Sequence, residues 1–281
     1  MSGLEPGSIV AIDGALVSAE QATVSVLDRG FLYGDGLFEV LRTWRRSAVD
    51  LDLHLDRMTA AAVELHLAVD RVAIGRMVAE VIAASEGELR LRIVVTRGAG
   101  GVAVRFADVR GGRTIVIGEP LGALPGSISA AVVDWPLARR RVEHKTLAYL
   151  DHLIAKELAA EAGADEALRL GPDGDVVEGA TSNLFVVRGG AVATPPLAGV
   201  LPGITRGHVV RTCAELGIAV SERALMLAEV RAAEEIFVTS AVRGVVAVTR
   251  LDDERREVGK VTAAVASAYA DGMLRRGVMA T

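Results

Sequence analysis

The sequence predicts an α+β protein built as two α/β halves. Three observations carry that expectation. The chain has 281 residues, of which 51% are hydrophobic and 24% charged, enough apolar surface for a sizeable core and too much for disorder. Hairpin signals are interleaved with helical patterns, without the strict strand–helix alternation of a doubly wound parallel sheet. The segment EPLGALPG (119–126) carries two prolines and two glycines and reads as a linker. The expected boundaries are 1–118 for a small α/β domain, 119–125 for the linker and 126–281 for a larger α/β domain.

The elements follow in order. IVAIDGALV (9–17) is two short apolar runs around Asp13-Gly14, a pair that tolerates positive φ and so predicts a hairpin. VSVLDRGFLYGDGLFEVLRTW (24–44) reads as a strand, a glycine-punctuated turn and a second strand. HLDRMTAAAVELHLAV (54–69) and RVAIGRMVAEVIAAS (71–85) have helical spacing. LRLRIVVTRG (89–98) alternates and then runs apolar, as a strand entering a core does, and RTIVIG (113–118) is another strand. Beyond the linker come a strand over ISAAVVDW (128–135), a helix from Lys145 and a strand over EALRL (166–170). Two glycine-centred turns punctuate 171–196, and GITRGHVVRTCAELG (203–217) is a helix ended by glycine. EEIFVTS (234–240) and GVVAVT (244–249) are strands before a last helix over 261–274.

Composition narrows the function. Net charge is −5 with no long basic block, which disfavours nucleic acid or an anionic membrane as partner. The stretch MSGLEPGSIVAIDG has no charged-then-apolar signal pattern, and no apolar run reaches a membrane-spanning length. Cys213 is the single cysteine, and histidines 54, 66, 144, 152 and 208 include no pair at zincin spacing. The expectation is a soluble, cytoplasmic protein without a metal.

Four stretches carry chemistry. Of 31 basic residues only Lys145, Lys156 and Lys260 are lysines. Lys145, beside His144, offers a nucleophilic amine that arginine cannot replace; the alternative is drift in an arginine-biased composition. In LPGITRGHVV (201–210) a Pro202-Gly203 turn leads into a helix start whose outward amides, with the Thr205 hydroxyl, could cup a phosphate; simple capping by threonine is the alternative. Arg57 in HLDRM could clamp a phosphate through its planar donors, or be a surface arginine. Glu178 in DVVEGATSN is one acid in a small and apolar stretch, able to cap a turn or to await a cationic partner. GAGGVA (98–103) lacks dinucleotide-binding spacing and reads as a glycine loop. A lysine imine, a phosphate cup, an arginine clamp and a carboxylate for a protonated ring nitrogen together describe pyridoxal phosphate.

With those residues in hand, the chain resembles the class IV aminotransferases, the fold-type IV pyridoxal-phosphate enzymes that include branched-chain and D-amino-acid aminotransferases and 4-amino-4-deoxychorismate lyase. The resemblance covers nearly the whole chain through DRGFLYGDGLFEVLR, HLDR, VTRGAGG, KTLAYLDHLIA, GADEALRL, VVEGATSNLFVV, TPPLAGVLPGITR and EEIFVTSAVRGVVAV, in the family's order. It implies a two-domain fold with the cofactor at the domain interface, and a homodimer whose partner closes the pocket with a loop near 29–36 or 98–106. It implies that Lys145 forms the internal aldimine and then moves the proton between Cα and C4′. It further implies that Glu178 pairs with the pyridine nitrogen, and that Arg57 with the amides of Ile204 and Thr205 holds the phosphate. By the same resemblance Leu201 packs on the ring, Ser240 lies in the loop over the phosphate, and Tyr149 bonds the phenolic oxygen. A helix from Lys145 would put 145 and 149 on one face.

Departures bear on substrate. Val102 and Val104 stand where D-amino-acid aminotransferases carry an arginine and a histidine, and Phe38 where they place a tyrosine. Ala148 replaces an asparagine frequent in the family, and Glu39-Val40 replaces the threonine region of the lyases. Phe38, Arg42, Arg97 and Arg105 are the candidate substrate contacts. The leading expectation is amino-group transfer between an amino acid and a 2-oxo acid in a ping-pong cycle. The alternatives are a lyase releasing 4-aminobenzoate and pyruvate from aminodeoxychorismate, and a non-catalytic binding protein on the same fold.

Overall fold

The computed structural model describes residues 5–133, 135 and 144–276. Residues 1–4 of the stretch read for a targeting signal, and Asp134 in the expected strand over 128–135, lie outside the described residues. The chain is α+β in two compact units. One takes the chain up to Gly122 together with His144–Tyr149; the other takes the chain from Ala123 and then Leu150–Met273.

The first unit holds β1 (Ile9–Ile12), β2 (Ala15–Val17), α1 (Arg29–Tyr33), β3 (Gly36–Trp44), β4 (Ser47–Ala48), α2 (Leu51–Glu64), α3 (Arg71–Ala83), β5 (Leu89–Thr96) and β6 (Thr114–Pro120). Its six strands run in the order β2-β1-β6-β5-β3-β4, every pair antiparallel. The β1–β2 turn is the expected Asp13-Gly14 pair, both at positive φ, the backbone that hairpin twist requires. Alternation along β3 sends Leu37 and Leu41 into a core with Leu91, Ile93, Val116 and the helix residues Leu55, Met58, Ile74 and Met77. Glu39 shares that inward parity, while Phe38, Val40 and Arg42 share the other.

Three expectations are corrected here. Residues 24–28 form no strand: Asp28 caps the short helix α1 by accepting from the Gly30 amide at 2.7 Å, and Gly34 ends it at φ 66°. The helix expected over 54–69 is α2, which starts at Leu51 and stops at Glu64; His66 has φ 50°, and Arg97 bonds the carbonyls of Leu65 and His66 just past its end. The expected linker begins inside β6, which runs to Pro120 with Glu119 opposite Arg90.

The second unit holds β7 (Ser127–Val133), α4 (Leu150–Glu161), β8 (Glu166–Leu170), β9 (Val176–Gly179), β10 (Asn183–Arg188), β11 (Ala191–Thr194), α5 (Ile204–Glu215), β12 (Val220–Glu222), α6 (Leu227–Arg231), β13 (Glu235–Ser240), β14 (Gly244–Leu251), β15 (Glu254–Arg255) and α7 (Lys260–Arg276). Its sheet order is β12-β11-β10-β13-β14-β7-β8-β9, with β15 on β14. The pairs β11/β12, β14/β7 and β7/β8 are parallel. Both faces of this sheet are buried: one under Leu168, Leu184, Ile236 and Val248, the other under Phe185 and Phe237, stacked at 4.8 Å, with Val209 and Cys213 of α5. Among the described residues no helix is long and apolar enough to cross a membrane.

Candidate active site

Lys145 does not start a helix. Residues 144–149 are extended or bent, and α4 begins at Leu150. The segment lies along β3 as a short added strand: Phe38 N–H donates to the Lys145 carbonyl at 2.9 Å, Leu147 N–H donates to the Gly36 carbonyl at 3.0 Å, and Thr146 bridges Leu37. The helical pattern of KTLAYLDHL is genuine, but backbone pairing with β3 outweighs it over the first five residues. The GDG turn makes room for the approach. A Cβ at Gly36 would meet the Val95 carbonyl oxygen at 2.4 Å and Leu147 Cδ1 at 2.6 Å; one at Gly34 would meet the Ala148 amide at 2.7 Å. His144, without a role from sequence, has its Nε2 3.0 Å from Glu64 Oε2, and so ties this segment to the end of α2.

Lys145 and Tyr149 still meet, through Phe38. The Lys145 Nζ is 4.6 Å from the Phe38 ring centre and 5.5 Å from that of Tyr149. The two rings pack edge to face at 5.1 Å. Arg92, a residue the sequence reading passed over, places its guanidinium 5.0 Å from the Phe38 ring. Burial, and next the Arg90 charge, lower its pKa from the usual guanidinium value. Among the described residues no carboxylate ion-pairs with Arg92, whereas Arg90 pairs with Glu119 at 2.7 Å.

Arg57 faces Glu39. Its Nε donates to Glu39 Oε1 at 2.8 Å and its Nη2 to Oε2 at 2.6 Å. His54 Nδ1 lies 2.7 Å from the same Oε2. Glu39 and His54 are each 1% exposed. Burial pushes the Glu39 carboxyl up, but the Arg57 charge and the bonds from His54 and Arg57 outweigh it and hold the group at about 2. The signal for this trio was present in the sequence: an acid at an inward position of an apolar strand, and His and Arg three apart on a helix.

The other candidate arginines sort clearly. Arg97 is a correction: its Nε bonds Asp35 at 2.9 Å, and Nη1 and Nη2 bond the carbonyls of His66 and Leu65 at 2.6 and 2.8 Å. It also stacks on Phe106 at 3.8 Å. Every nitrogen of that guanidinium is engaged inside the unit, so it ties three segments together and is not placed to receive a substrate. Arg42 donates to the Thr43 carbonyl and lies over Trp44. Arg105 is exposed, at the edge of the glycine loop.

The second unit holds Glu178, Leu201, Ile204, Thr205 and Ser240. Glu178 lies in β9 opposite Arg169 and is 3% exposed; the Leu201 amide donates to its Oε2 at 3.3 Å. Asn183 Nδ2 donates to the Leu201 carbonyl at 3.0 Å, so a carboxylate and an amide hold Leu201 through its own main chain. Gly203 is the N-cap of α5, whose first turn is Ile204 and buried Thr205. A Cβ at Gly203 would meet Asn183 Oδ1 at 1.9 Å. Ser240 is the last residue of β13, not part of a loop; its Oγ accepts from the Arg243 amide at 3.3 Å. Arg243 in turn pairs with buried Glu166, which also accepts from Thr181 and Ser182.

The first unit offers a primary amine against aromatic rings, and the second a buried carboxylate and a helix opening on a glycine N-cap; each is chemistry suited to a phosphorylated pyridine aldehyde. The comparisons agree. The family model described as Amino-transferase class IV matches residues 36–251, and the chain belongs to that family. A D-alanine aminotransferase from Bacillus licheniformis is 31% identical over 258 residues, 87% of this chain and 89% of its own. The crystal structure of a branched-chain aminotransferase from Thermoproteus uzoniensis, with norvaline, is 30% identical and superposes with a TM-score of 0.88 over 96% of each chain. A second branched-chain amino acid aminotransferase, solved in complex with N-(5′-phosphopyridoxyl)-L-glutamate, is 25% identical, with a TM-score of 0.88 over 97% of this chain and 96% of its own. The protein is thus a pyridoxal-phosphate-dependent enzyme, an aminotransferase of fold type IV, and the non-catalytic alternative falls.

Proposed function

We propose that the protein transfers an amino group from an amino acid to a 2-oxo acid in two half-reactions of ping-pong order. The observation that supports this reading is the Lys145 amine held over the Phe38 and Tyr149 rings by a backbone segment paired to β3. When bound, the cofactor supplies an electron-accepting ring joined to the substrate nitrogen. Lys145 Nζ would hold the cofactor through its aldehyde and, once freed, would be the base and acid that moves the substrate α-proton. Glu178, a buried carboxylate, would pair with the ring nitrogen and favour its protonated form. Arg57 would be a phosphate donor; in the second unit the amides of Ile204 and Thr205, with Ser240, would be the others, and Leu201 would be the ring contact. Tyr149 would donate its hydroxyl to the phenolic oxygen.

Arg92 takes a substrate carboxylate. It is the half-buried cation on the same ring as Lys145; among the described residues it makes no ion pair, and the acid that attracts it, Glu119, is already paired with Arg90. Phe38 forms an apolar wall beside it. Arg42 and Arg105, the remaining arginine candidates from sequence, lack that placement. We further infer a homodimer. Val26, Leu27, Phe31, Val102 and Phe106 are exposed apolar residues on two stretches joined by the Asp28–Ala99 bridge, and clustered exposed apolar surface marks interfaces.

Spectra of the holoenzyme mixed with single L- and D-amino acids, without an oxo acid, test the reading. The expected result is conversion to the pyridoxamine form and one equivalent of oxo acid, with turnover only after a second oxo acid is added. Release of pyruvate and 4-aminobenzoate from aminodeoxychorismate with no acceptor would assign the lyase alternative instead.

A further inference from the structure

We propose that Glu39 is a positioning residue: its carboxylate, oriented by His54, fixes the Arg57 guanidinium for the cofactor phosphate. The inference rests on the reading above that Arg57 takes that phosphate. Glu39 occupies an inward position of β3 between Leu37 and Leu41, where alternation calls for an apolar side chain. A carboxylate there is costly unless it is fully bonded. It is bonded three times, by Arg57 Nε and Nη2 and by His54 Nδ1. The third bond requires the imidazole to carry hydrogen on Nδ1. His54 and Arg57 are three residues apart on α2 and therefore look at the same patch of sheet.

The geometry of the pair matters more than its charge. Two parallel bonds along the Nε–Nη2 edge lock the plane of the guanidinium and turn its Nη1 side away from the carboxylate in one fixed direction. An arginine without that brace would have to be ordered when the phosphate arrives, at a cost in affinity. A leucine or methionine at 39 would fill similar volume without desolvating a charge. The carboxylate is therefore better explained by what it does to Arg57 than by packing.

The test titrates the full-length protein, stripped of cofactor, with pyridoxal 5′-phosphate and, separately, with pyridoxal, which lacks the phosphate. Glu39→Gln keeps the shape and removes the charge. Both Glu39→Gln and Arg57→Ala are expected to weaken pyridoxal phosphate binding by about tenfold or more, and pyridoxal binding by less than about twofold. The double variant should bind no worse than Arg57→Ala alone, because the two residues act as one unit. His54→Asn, a milder change that covers a failure of Glu39→Gln to fold, is expected to give about a threefold loss with the same selectivity. Equal weakening of both vitamers by Glu39→Gln, or no weakening while Arg57→Ala still discriminates between them, overturns the inference and leaves the phosphate reading standing. If Arg57→Ala itself fails to discriminate, the phosphate reading falls and the inference with it.

Discussion

The lysine cluster of the first unit and the carboxylate cluster of the second are built by opposite means. The first depends on side chains that brace one another: Glu39 with His54 and Arg57, and Phe38 with Tyr149, Arg92 and Lys145. The second depends on main chain brought close: Leu201 is held through its own main chain by Glu178 and Asn183, and α5 opens on a glycine with no room for a methyl group. One region is thus sensitive to charge and the other to volume. Substitutions that change one property and spare the other can break that contrast or sharpen it.

The largest effect belongs to the amine. Lys145→Ala should lower transamination by about four orders of magnitude or more and remove the visible absorbance of the bound cofactor. The fold should persist, since the backbone bonds from Phe38 and Leu147 that seat the segment do not use the lysine side chain. Stopped-flow turnover and circular dichroism on one sample check both halves of the statement. Normal turnover in this variant would end the proposed role.

Next come two changes in the second unit. Glu178→Gln leaves volume unchanged and should reduce kcat by about 10²- to 10³-fold, with cofactor affinity altered far less. Gly203→Ala leaves charge unchanged, yet its methyl group would press on Asn183 Oδ1. It should shift Asn183 or the start of α5 and weaken pyridoxal phosphate binding by about tenfold, with a smaller effect on kcat at saturating cofactor. Cofactor titration beside kcat measurement separates the two. If both variants lose the same parameter, the contrast between charge and volume is wrong for this region.

The sequence made much of this legible, and its failures have a common physical origin. The Asp13-Gly14 hairpin and the helices from Arg71 and Gly203 are local events, decided by φ preferences and apolar spacing near in sequence. The scarcity of lysine pointed to position 145 without any structure. The extended path of 144–149 was hidden because its cause, β3, lies on the order of a hundred residues upstream. The arginines failed in the same way. Arg92 and Arg97 both sit in LRLRIVVTRG, and nothing local tells which will meet a carboxylate; Asp35 and the carbonyls at 65 and 66 claim Arg97 from distant segments. Only strand parity separates them, since it aligns Arg92 with Phe38's side of the sheet. In the bare sequence Glu39 stands out as a departure from a related subfamily, and that contrast masks the stronger signal, its inward parity between Leu37 and Leu41.

That arginine pair supplies the third prediction. Arg92→Leu should raise KM for a dicarboxylic substrate by about tenfold while leaving the thermal midpoint within a few degrees. Arg97→Leu should do the reverse, because it leaves Asp35 and two helix-end carbonyls short of donors. Steady-state kinetics with a dicarboxylic and a monocarboxylic amino acid, alongside thermal unfolding, give the comparison. A KM effect from Arg97 and none from Arg92 would exchange their roles.

The smallest expected effect is confined to acid, and it isolates the charge of Glu39 from its shape. Its carboxyl, ordinarily near 4.5, is held at about 2 in the folded protein. The folded-state value is depressed, so the unfolded chain binds the proton first as pH falls. The stabilisation is then complete above about 4.5 and erodes as pH drops towards about 2. At neutral pH it is worth on the order of 3 kcal/mol. Urea unfolding of the wild type should lose midpoint steadily between about pH 5 and pH 3. Glu39→Gln should start lower at neutral pH and show a shallower decline over the same interval, because it has no proton to take up at that position. Parallel declines would mean that the acid limb comes from other carboxylates, and that Glu39 is held less tightly by Arg57 and His54 than their distances require.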